Sequence, residues 1–120
     1  MKINEFSKMN RDRCESRQGF GHPLHSWSTS DWITATLGEL GEAANVIKKL
    51  NRVRDGVPGN KETPAELREM LGSELADTYI YLDLLFQSVG LDVQENVLRK
   101  FEEKSKQLGY LVPLKLREEE

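Results

Sequence analysis

Four acidic residues occupy matching places on two stretches of helical periodicity. Glu39 and Glu42 stand three apart, as do Glu74 and Asp77, and the second pair repeats the first after thirty-five residues. The strings around them agree: Glu39-Leu40-Gly41-Glu42-Ala43 against Glu74-Leu75-Ala76-Asp77-Thr78. Residues three apart on a helix share a face, so each pair aims two carboxylates at one point. Two antiparallel helices would bring the pairs opposite each other. Four carboxylates with no nearby His or Cys favour a hard, oxygen-preferring ion, Mg²⁺ with Mn²⁺ as a substitute. Such an ion can act as a Lewis acid and acidify a bound water. One of the four, and the spacing does not say which, would then accept that water's proton.

Positions at about 100° per residue locate the acids on each helix. With Leu40 at zero, Ile47, Leu37, Ile33, Leu50, Trp32 and Val46 fill one apolar arc. Glu39 falls near −100°, inside that arc, and Glu42 near −160°, on its rim. With Leu75 at zero, an arc of Leu82, Leu71, Phe86, Leu67, Leu85, Tyr81 and Met70 places Glu74 and Asp77 in the same two slots. An ionised carboxylate on a core-facing stripe loses several kcal/mol on leaving water unless something compensates it. A bound cation compensates all four at once. Salt bridges to buried Lys or Arg are the competing explanation, and a solvated acidic face is the plain one.

The elements that must hold these residues are helices. Ile3, Phe6 and Met9 predict a first helix over 3–17. Residues 18–30 then break the pattern with two glycines and a proline, a long connection for a compact domain. The second helix is expected from an N-cap at Ser30 to Asp55, with Gly56 as its stop. Thr63-Pro64-Ala65-Glu66 opens a third helix that runs to Val89 before Gly90. Asp92 opens a fourth, closed at Leu108 by Gly109, and the tail from Tyr110 to Glu120 is expected to fray. No segment alternates as a strand does. The expected fold is an all-α, four-helix-bundle-like single domain over 1–120, with its core over 30–110 and two long central helices.

Composition narrows the partners. The chain has 120 residues, enough for one modest core, so an oligomer is an economical way to bury more surface. Its net charge of −3 argues against a nucleic-acid coat, though not against a nucleotide met by local cations. Cys14 is the only cysteine, which excludes an intrachain disulfide and a thiolate zinc cage. The charged N-terminal run lacks the apolar centre of a leader peptide, and no apolar run reaches the ~20 residues of a membrane span. A cytoplasmic protein is the expectation.

The motif Gly38-Glu39-Leu40-Gly41-Glu42, followed by Glu74-Leu75-Ala76-Asp77, resembles the paired acidic motif of the all-alpha NTP pyrophosphohydrolase superfamily, and within it the MazG-like proteins. The resemblance spans about residues 30–110 and extends to Gly90-Leu91-Asp92 and to Lys100-Phe101 with Ser105 and Gly109-Tyr110. It implies a MazG-type fold and hydrolysis of a nucleoside triphosphate to monophosphate and pyrophosphate, in nucleotide-pool house-cleaning. It also implies Mg²⁺ held by Glu39, Glu42, Glu74 and Asp77, a homodimer or homotetramer, and a family lysine at Lys100. Two departures stand out. Gly38 occupies a slot where the family often has a second glutamate, and Glu102 a slot where many relatives carry asparagine.

On the substrate side, Lys100 is the candidate for phosphate. Trp27 and His25, with His22 and Trp32 nearby, are candidates for reading the base, because aromatic faces stack on bases at roughly 1–3 kcal/mol each. Trp32 falls in the apolar arc and is expected in the core. Lys48 and Lys49 point away from the acid slots and are expected on the surface. Three alternatives stay open. One is a phosphoribosyl-ATP pyrophosphohydrolase of the same superfamily. The second is a helical interaction module with structural acids. The third, a di-iron bundle, lacks the Glu-x-x-His step that class requires.

Overall fold

The computed structural model describes residues 1–110 and Val112; the remainder of the expected tail lies outside the described residues. Four helices follow one another: α1 (Ile3–Glu15), α2 (Thr29–Asp55), α3 (Pro64–Ser88) and α4 (Val93–Leu108). A single 3₁₀ turn, Leu24–Ser26, sits in the connection before α2. No strand occurs among the described residues, and no helix is long and apolar enough to cross a membrane.

Helix ends follow local chemistry. The N-cap of helix α2 lies two residues before the expected one because Ser28, not Ser30, has an acidic residue three positions on. The Ser28 hydroxyl accepts the Asp31 N–H at 3.2 Å, and the Asp31 carboxylate accepts the Ser28 N–H at 2.9 Å. Ser30 has Ile33 in that place, which cannot reciprocate. Thr63 and Glu66 make the same reciprocal pair at the start of α3, with Pro64 in the first turn. Gly56 and Gly109 close α2 and α4 in the left-handed conformation that glycine adopts without strain.

Helix α1 stops at Glu15, short of the expected 17, because the chain turns back on it. The N–H groups of Phe20 and His22 donate to the carbonyls of Arg13 and Cys14. A side chain at Gly19 would place its Cβ 1.9 Å from the Arg13 carbonyl oxygen, so only glycine permits this return. The 3₁₀ turn then drops Leu24 into the core at 0% exposure, beside Trp32, Cys14 and Leu84.

Helices α2 and α3 form an antiparallel pair: the Trp32 ring meets that of Tyr81 near one end, and Lys49 meets Glu62 at the other. The inward stripe of α2 is Trp32, Thr36, Glu39, Ala43 and Val46, where every residue but Glu39 is buried. That of α3 is Leu67, Leu71, Glu74, Thr78, Tyr81 and Leu85. The apolar arcs therefore do not face inward as a whole. One edge of each makes the seam, while Ile33, Leu37, Leu40 and Ile47 on α2, and Leu75, Tyr79 and Leu82 on α3, face out. Leu37 is 58% exposed and Leu40 46%.

Helices α1 and α4 pack on α3 and on each other, while α2 packs on α3 alone among the helices, apart from Trp32 reaching Cys14. The arrangement is open. The Cα radius of gyration is 17.9 Å, against roughly 14 Å for a compact chain of this length.

A polar knot pins α1 to α3. Asp83, 1% exposed, accepts hydrogen bonds from the Ser7 hydroxyl at 2.5 Å, Asn10 Nδ2 at 2.9 Å and Gln87 Nε2 at 3.0 Å. Asn10 also donates to the Ile80 carbonyl and Gln87 to that of Ser7. Each donor is neutral and each is used, which is how a buried carboxylate is made tolerable without a cation.

Candidate metal centre and pocket

The seam of α2 and α3 carries the acids at its middle. Seven residues separate Trp32 from Glu39, and Glu74 from Tyr81, so the antiparallel register that matches the rings also matches the glutamates. One oxygen each from Glu39, Glu74 and Asp77 lie within 4.8 Å of one another. That is close to the span of an oxygen shell around Mg²⁺, whose ligands sit at about 2.1 Å. Glu42 completes the quartet from the rim and acts on both Glu39 and Glu74. Glu39 and Glu74 are half-buried, while Glu42 and Asp77 are exposed, in keeping with their expected slots.

No Lys or Arg among the described residues forms an ion pair with any of the four. The acids meet one another instead. The Glu74 carboxyl is pushed up to about 7, first by the hydrogen bond it shares with Glu42, then by burial, then by the charges of Glu42, Glu39 and Asp77. Glu39 is also raised, first by burial and then by the charge of Glu42. Oε2 of Glu74 is buried and faces no donor. A carboxylate oxygen in that position is met by a proton or by a cation.

Glu39 and Asp77 also form one end of a cavity of about 450 Å³. From the acids it runs past Tyr81 to Trp32 and Leu84, about 10 Å along the helices at 1.5 Å per residue. The segment before α2 and the end of α1 wall it off with His22, Trp27, Cys14, Arg13 and Phe20. The rings lock together: His22 to Trp27 and Trp27 to Trp32 each at 4.7 Å between centroids. The Trp32 indole N–H donates to the Leu24 carbonyl at 3.0 Å, fixing the floor.

The expected substrate residues divide. Trp27 lines the cavity. His25 is exposed on the 3₁₀ turn and is not among the lining residues; its neighbour His22 is. Lys100 lies elsewhere, in a shallow depression with Phe86, Val97, Phe101 and Lys104, and approaches Glu103 at 3.9 Å. Trp32 is buried as expected, Lys48 is exposed, and Lys49 is held half-buried by Glu62 at 2.7 Å. Arg13, Phe20 and Tyr81 line the cavity without having been marked as site residues by any local pattern. Tyr81 sits seven residues after Glu74 on the seam stripe, and that spacing is the one signal pointing to it.

No family model, no curated protein and no solved structure matches this chain.

Proposed function

We propose that the protein is a magnesium-dependent nucleoside triphosphate pyrophosphohydrolase, with phosphates at the acids and the base among the rings. One observation carries the reading: carboxylates from two helices converge, with no Lys or Arg among the described residues paired to them, at one end of an aromatic cavity. The donor set fits Mg²⁺. Glu39, Glu74 and Asp77 would hold it, and the orphaned Glu74 oxygen is the atom with most to gain. When bound, the ion supplies charge neutralisation on the phosphates and a water of lowered pKa. Glu42, beside Glu74 but outside the three-oxygen group, would be the carboxylate left to accept a proton from the attacking water. Tyr81 and Trp27 would orient the nucleoside by stacking, backed by the buried Trp32. Phosphoribosyl-ATP remains a substrate to test, since it presents the same phosphate anhydride.

The test is pyrophosphate release with and without Mg²⁺ across ribo-, deoxyribo- and modified nucleoside triphosphates plus phosphoribosyl-ATP. Magnesium-dependent pyrophosphate from any of them supports the reaction. A folded protein that releases none and whose melting is indifferent to Mg²⁺ returns the acids to a structural role.

The same proposal includes a second copy of the chain. The outward ridge of Ile33, Leu37, Leu40 and Ile47, with Leu75 and Leu82, is continuous across both long helices, and the chain alone is too open to bury it. Two hairpins packed ridge to ridge give the four-helix bundle that a single chain does not close. Light scattering is expected to return a multiple of the chain mass, and Leu37→Glu with Leu40→Glu to return the monomer. A monomeric wild type would refute the assembly and leave the site untouched.

A further inference from the structure

We propose that Arg13 is the residue by which the pocket tells one base from another, selecting an edge with two adjacent hydrogen-bond acceptors. The inference rests on the nucleotide reading of the pocket. Stacking by Trp27 and Tyr81, the half-buried rings of the cavity, holds any base, because every base has a π-face, so those rings discriminate little. Two of the other polar groups on the wall are already engaged. Asn10 Nδ2 donates to Ile80 and Asp83, and His22 Nδ1 is engaged by Ser26 and the Pro23 carbonyl.

Arg13 is different. It is the one cationic side chain lining the cavity among the described residues, and it makes no hydrogen bond or ion pair with them. It is nonetheless held in place. Its guanidinium carbon lies 5.5 Å from the centre of the Phe20 ring, and its carbonyl accepts the Phe20 N–H at 3.0 Å, through the return that Gly19 alone permits. Stacking occupies the face of a guanidinium and leaves its in-plane N–H groups free. Arg13 adjoins Cys14, which packs on Trp32 and Leu84, so it stands at the end remote from the acids, where a base would lie.

The guanidinium presents parallel N–H donors in a fixed fork. Two kinds of base offer the matching pair of acceptors: O6 and N7 of a 6-oxopurine, or O2 and N3 of cytosine. Adenine sets a donor beside its acceptor on both accessible edges, and uracil and thymine set N3–H between theirs.

The experiment reads the fluorescence of Trp27 and Trp32 during titration with guanosine, inosine, cytidine, adenosine and uridine, without metal. Wild type is expected to bind guanosine and inosine, or cytidine, at least about tenfold more tightly than adenosine and uridine. Which of the two leads names the source. In Arg13→Leu that preference should shrink to a few-fold while adenosine binding is unchanged. In Arg13→Lys it should also shrink, because the charge remains and the fork is gone. A preference that survives both variants, a wild type that favours adenosine or uridine, or no nucleoside binding at millimolar concentration each overturns the proposal. Arg13-dependent preference without magnesium-dependent pyrophosphate release would reject the reaction and keep the base reader. Pyrophosphate release with a preference indifferent to Arg13 would do the reverse.

Discussion

Glu74 and Asp83 lie nine residues apart on one helix, and the chain treats them in opposite ways. Asp83 is the more deeply buried, yet three neutral side chains donate to it and its charge is accommodated. Glu74 is only half-buried, yet its neighbours are acids and one of its oxygens meets no donor. Burial therefore does not set the state of these two carboxylates. The identity of their partners does. A carboxylate supplied with donors is satisfied as built, whereas one supplied with further carboxylates has its protonated form favoured.

The largest effect expected from this contrast is on turnover. Glu74→Gln keeps the shape and removes the charge, and should lower pyrophosphate release by about a hundredfold or more. Its melting temperature without Mg²⁺ should be unchanged or higher, because an uncompensated acid is gone. A destabilised Glu74→Gln would mean that Glu74 is structural after all. Asp83→Ala should show the opposite pattern. Stranding the donors of Ser7, Asn10 and Gln87 should remove about 2–4 kcal/mol of stability, a fall of roughly 10 °C or more in melting temperature. The surviving folded protein should still gain stability from Mg²⁺, and loss of that response would join the two clusters that the structure keeps apart.

The smallest effect is on pH dependence. The Glu74 carboxyl stands at about 7 in the folded chain against an ordinary 4.5. A group raised in this way stabilises the fold fully below its unfolded value and ceases to do so as pH rises through the folded one. Metal-free protein should therefore lose stability between about pH 4.5 and 7. Magnesium competes with that proton, so the melting shift on adding Mg²⁺ should be small at acid pH and grow through neutrality. Glu74→Gln should flatten the curve, while a slope that persists in this variant would place its origin elsewhere.

The caps and the acid slots are legible in the sequence because both depend on spacings of three and four residues along one helix. Thr63 with Glu66, and Glu39 with Glu42, need no knowledge of the fold. The facing of the arcs is not legible in the same way. Leu40 and Val46 belong to one apolar stripe in projection, but hydrophobicity does not say which part meets the neighbouring helix and which is left outward. Nor is the cavity wall legible. Arg13 and Phe20 join the cavity wall through a chain reversal that only a residue without a Cβ allows at position 19. Lys100, a candidate through the family resemblance alone, stands in a different depression, because a motif fixes a position on a helix and not the side of the molecule that helix occupies.

The knot at Asp83 has a consequence in time. Its ties join residues far apart in the chain, with seventy-three positions between Asn10 and Asp83 and seventy-six between Ser7 and Asp83. The α2–α3 hairpin, by contrast, closes across a connection of eight residues, from Gly56 to Thr63. Contacts between distant residues carry the larger loop-closure entropy and tend to form late. The acids are thus brought together by the part of the chain that assembles early, while α1, with Arg13 and Cys14, closes the aromatic wall last. On that ordering, local opening is expected to loosen α1 before the α2–α3 hairpin.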